Sequence, residues 1–179
     1  PILYFALMEL YQYLSFVSIE RGATTALRVI TGLIFVHVAF QPFFTNMWLG
    51  NYIPADYQPQ VRFLLQLCFI AGLFFVMRYD GFASIAKGFQ CNPRTEEVCG
   101  LRSLVENGKH HLRYLFRMRA PSYFTPSIFI HFFLLFIPAL LLRVYAVPYA
   151  AILLGYLLAG VLVQRDEIAA VWCSFSIPT

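Results

Sequence analysis

The chain reads as an all-α protein: a polytopic transmembrane helical bundle of about five full spans and a partial sixth, with a basic amphipathic helix in one long loop. Three observations lead there. Of 179 residues, 60% are hydrophobic and 12% charged, where a soluble domain carries about 25% charged residues. So short a chain cannot bury that much apolar surface in a water-facing fold, so the bilayer is expected to solvate much of it. The apolar residues fall in runs close to the roughly 20 that a membrane helix needs. Eight of the 13 Lys and Arg lie between Arg78 and Arg119, concentrated in one polar segment.

The spans follow in order by apolar run. The first is Ile2 to Ile19, interrupted by Glu9 and Gln12. The second runs from Thr24 to Phe44, with Arg28 near its start, His37 inside and Pro42 placed to kink its end. The third, Val61 to Met77, contains Gln66. The fourth, Tyr123 to Leu142, contains His131 and Pro138. The fifth, Pro148 to Val163, opens on a proline suited to a first helical turn. The partial sixth runs from Glu167 to Ile177. Residues 1–179 form a single transmembrane domain on this reading, and the start at Pro1 suggests an absent upstream span.

Gln41 to Gln60 lacks Lys and Arg and reads as an interfacial loop. The long loop 78–122 carries eight positive and four negative side chains. Within it Leu101 to Arg119 is expected to be helical, with Leu104, Leu112, Leu115 and Phe116 as an apolar strip among Lys109, Arg113, Arg117 and Arg119. Such a helix lies on anionic lipid headgroups. The positive-inside rule puts this loop in the cytoplasm. No basic motif with a nucleic-acid reading element is present. No secretory signal is visible.

Ionisable groups inside apolar runs are costly and turn towards a partner or cavity. Glu9, Gln12 and Tyr13 share a helical face, as do His37 and Gln41. Glu9 either relays protons, holds a cation or acts as a base, or joins an inter-helix hydrogen-bond cluster. His37 either ligates a metal or ligand, or bonds a backbone carbonyl near Pro42. His131 sits midway along its run, at a depth where Glu9 is a natural partner. A metal would draw on His37, His131 and His111, although no metal-ligand spacing appears. Cys91 and Cys99 can form a disulfide in an oxidising compartment, but the charge rule assigns their loop to the cytoplasm, where thiols stay reduced. Cys68 and Cys173 read as packed thiols. No nucleophile elbow, phosphate loop or dinucleotide fingerprint occurs, so no cofactor is named.

Several blocks together resemble a known family. They are Tyr4-Phe5-Ala6-Leu7-Met8-Glu9 with Gln12, His37 to Phe44 with Asn46, and Thr125-Pro126-Ser127 with His131 and Pro138. The Cys91–Gly100 loop and the Trp172-Cys173 ending add to them. This is a family of small polytopic integral membrane proteins catalogued only as a domain of unknown function. The resemblance implies six or seven spans. It also implies that Glu9, Gln12, His37, Gln41, Asn46 and His131 belong to the family pattern. It supplies no activity.

The resulting expectation is a multi-pass membrane protein with a polar intramembrane pocket lined by Glu9, Gln12, His37, Gln41, Asn46 and His131. The pocket would bind a small molecule, lipid, cofactor or ion. Two alternatives stand beside it: an accessory subunit of a larger membrane complex, and a membrane-embedded metal-dependent lipid hydrolase or transferase. The histidine pair usual in such hydrolases is absent.

Overall fold

The computed structural model describes residues 2–80, 91–92, 99–100, 102–109, 111–122, 130–131, 133–135, 154–155 and 157–162. It opens with three helices. Helix α1, Ile2–Glu20, has no Gly or Pro to break it. It stops at Gly22, whose φ of +64° is open to glycine at little cost. The Gly22 N–H donates to Ile19 O and the Ala23 N–H to Ser18 O, the paired bonds of a Schellman ending.

Helix α2, Thr24–Gly50, is the central element. Its buried residues fall on several faces, among them Thr31, Ile34, Phe35, His37, Ala39, Gln41, Thr45 and Asn46. Pro42 lies inside it without ending it. A 3-10 turn at Ala55–Tyr57 leads into α3, Gln58–Val76, where a proline in the first turn costs no hydrogen bond. Helices α1 and α3 both pack on α2. At the α2–α3 contact Gly72 admits the neighbouring backbone: a β-carbon there would lie 3.0 Å from Ala39 O and 2.9 Å from Phe40 Cδ1.

Past α3 the chain forms β-structure. Strands β1, Leu104–Asn107, and β2, Leu112–Leu115, pair antiparallel in the register Leu104 with Leu115 and Asn107 with Leu112. The β2 backbone continues as a shared edge. Asp80 N donates to Arg117 O, Arg119 N to Arg78 O, Cys91 N to Met118 O and Gly100 N to Phe116 O. This β-module packs on the helices through one apolar core that joins Met8, Leu27, Ile34, Phe35 and Phe75 to Val105, Leu112, Tyr114, Phe116 and Met118. Phe35 is its centre, with ring centroids 5.2 Å from Phe75, 4.7 Å from Tyr79 and 5.0 Å from Phe116.

This architecture corrects the expected all-α bundle of five spans and a partial sixth. Among the described residues two helical stretches are long and apolar enough to cross a membrane, Thr24–Gly50 and Ala55–Val76, and a small antiparallel sheet stands where the basic helix was expected. The physical reason is periodicity. Leu112, Tyr114, Phe116 and Met118 alternate with Arg113, Leu115, Arg117 and Arg119, and the first four are all buried. A strand sends all four to one face, whereas a helix would scatter them around its axis. The expected interfacial loop also shrinks, because α2 runs on to Gly50. The runs expected at 123–142, 148–163 and 167–177 lie mostly outside the described residues.

Candidate functional site

The polar side chains expected to line one pocket occupy several separate places. His37 is buried on the α1 side of α2. Its ring stacks on Tyr4 at 3.8 Å between centroids and meets Tyr11 edge-on at 6.1 Å. The Tyr4 hydroxyl donates to the His37 carbonyl. Gln41 is buried one turn further along the same face.

Asn46 follows His37 by nine positions, about half a turn round the helix at roughly 100° per residue. It therefore faces the other way. Its Nδ2 donates to Pro42 O at 2.8 Å and to Leu134 O at 3.0 Å, and lies 3.5 Å from Cys68 Sγ. One amide thus ties α2 to α3 and to the helical residues 133–135.

His131 is buried and stacks on Phe75 at 5.5 Å. It borders a cavity of about 10 Å³ lined also by Ala39, Pro42, Cys68, Gly72 and Leu134. A water needs about 10–15 Å³ of such space, so this cavity holds at most one water. Glu9 is half-buried on α1, and its Oε1 has no hydrogen-bond partner among the described residues. No hydrogen bond or ion pair joins it to His131. Thr45 Oγ1 on α2 is likewise buried without a partner. Gln12 is half-buried on α1.

The metal candidates do not converge. His37 and His131 lie against different partners, and His111 is exposed beside the turn between the strands. Among the described residues no group of three or more His, Cys, Asp or Glu is placed to share an ion. Cys91 and Cys99 are joined by a disulfide, with Cα atoms 5.9 Å apart.

The polar cluster at the end of α3 had no sequence signal beyond its charge. Arg78 is fully buried. Its Nε donates to Arg119 O at 2.9 Å, and its guanidinium carbon lies 5.6 Å from the Phe75 ring centroid. Asp80 faces Arg117 at 3.6 Å and Arg119 at 3.9 Å. Ser103 Oγ accepts from the Arg117 amide at 2.9 Å. Burial pushes the neighbouring Tyr79 hydroxyl above its ordinary phenol value, opposed by a hydrogen bond with Ser103. Chemically, this cluster fastens the strand leaving α3 to the returning strand.

No curated protein and no solved structure matches the chain. A family model matches residues 1–179, and the protein belongs to the family it describes, the family of unknown function DUF5765.

Proposed function

We propose that the protein is a membrane-embedded accessory subunit: α2 and α3 cross the bilayer, and their apolar faces meet lipid and the helices of a larger complex. One observation carries this reading. The intramembrane Asn46 is spent on holding helices together, while large apolar side chains point outwards along α3. Phe63, Leu67, Ile70, Leu73 and Met77 are each at least 41% exposed. Small residues and inter-helix hydrogen bonds are the usual means of helix association in lipid, and Gly72 and Asn46 supply both.

A photo-crosslinking residue at Ile70 or Leu73, in the full chain in its own membrane, tests this. The expected result is a discrete protein adduct of fixed mass that co-purifies at constant stoichiometry. Lipid adducts alone, from a chain that purifies as a monomer, would refute it.

The buried acceptors Glu9 Oε1 and Thr45 Oγ1 favour a second reading, an intramembrane site for a small molecule, lipid, cofactor or ion that brings donors to them. On that reading Glu9→Gln and His131→Ala reduce binding more than they reduce folding. Equal loss of folded protein in these variants and in nearby Phe→Leu controls would count against it.

A further inference from the structure

We propose that the face of the protein carrying the β-module lies in an oxidising, extracytoplasmic compartment, opposite to the side that its charge indicates. The argument starts from the covalent link. Cys91 and Cys99 are both buried, at 6% and 4% exposure, inside the core shared with Phe35 and Phe116. The two segments are held beside the same strand independently of the bond, by Cys91 N to Met118 O at 3.0 Å and Gly100 N to Phe116 O at 2.9 Å. The backbone thus presents the two sulfurs to each other, and the link belongs to the packed core. Its formation removes two protons and two electrons from the thiols, which pass to the disulfide of a thiol–disulfide oxidoreductase and leave that enzyme as a dithiol. Such oxidants maintain disulfides outside the cytoplasm, while cytosolic thiols are kept reduced.

The opposing charge signal is weaker than its count suggests. Of the eight cations between Arg78 and Arg119, Arg78 is fully buried with a backbone acceptor, and Arg117 and Arg119 face Asp80. These three are explained by the construction of the fold. Helix α1 ends, α2 begins and α3 ends on this same face, because consecutive helices are antiparallel. The 51–57 connection then faces the cytoplasm.

The test uses the full chain in sealed endoplasmic-reticulum microsomes, with a membrane-impermeant maleimide. Lys109→Cys and Tyr57→Cys place a thiol at exposed positions on the two faces. The expected result is immediate labelling at position 57 and labelling at position 109 only after detergent. In the parent chain, mass spectrometry after alkylation should show Cys91 and Cys99 blocked until a reductant is added. Immediate labelling at position 109, or free alkylation of Cys91 and Cys99 without reductant, would overturn the proposal. Neither readout depends on a partner subunit, so its failure is distinct from failure of the subunit reading.

Discussion

Replacing Asn46 by Leu removes the donor that Leu134 O receives at 3.0 Å. The neighbouring bond to Pro42 O matters less, since a helix offers that carbonyl the backbone N–H four residues on. Inter-helix hydrogen bonds in membranes average about 0.6 kcal/mol and reach about 1.7. A buried carbonyl left without a donor costs about 1–3 kcal/mol. The expected loss is therefore about 1–2 kcal/mol, or a roughly 5–30-fold rise in the unfolding constant. Reversible unfolding of the full chain in mixed micelles measures it. An Asn46→Leu chain as stable as the parent would refute the reasoning.

Three further outcomes follow from other contacts. Gly72→Ala gains about 1 kcal/mol of helix propensity. It sets a methyl 3.0 Å from Ala39 O, however, and overpacking costs about 1–3 kcal/mol; a net loss near 1 kcal/mol should appear in the same unfolding assay. Asp80→Asn removes the carboxylate facing Arg117 and Arg119 and should cost about 1 kcal/mol. The gap between variant and parent should narrow as salt is raised, because screening weakens what the parent gains. Tyr79 keeps its proton longer when folded than the phenol value of 10.0. The unfolded chain therefore ionises first, and stability present below pH 10 falls as pH rises above it. Tyr79→Phe should flatten that alkaline decline in a pH series of melting temperatures.

The first three helices were legible because their residues are mostly apolar, so run length alone marks them. Their ends were less so. Pro42 suggested a kink near the end of α2, yet the helix continues to Gly50. The β-module was misread because arginines spaced among leucines also fit a helical strip. The stronger signal was the alternation from Leu112 to Arg119. The burial of the candidate residues was legible one by one, but their arrangement was not. Buried His37, Gln41, Asn46 and His131 follow from their apolar surroundings. That His37 and Asn46 face opposite ways could have been counted from helical geometry. Arg78 was beyond reach, since nothing in its immediate sequence separates a buried arginine from a solvated one.

The position of Arg78 also fixes a length. Helix α3 has 19 residues, about 28 Å at 1.5 Å per residue, and its last turn adjoins a cation locked into the sheet edge. On the proposed reading that α3 crosses a bilayer, a helix fastened at one end would not slide to meet a thicker one, and the mismatch would fall to tilt or to the surrounding lipid, at a cost of fractions of a kcal/mol per Å. The arginine that closes the sheet would then also bear on the bilayer thickness the chain tolerates.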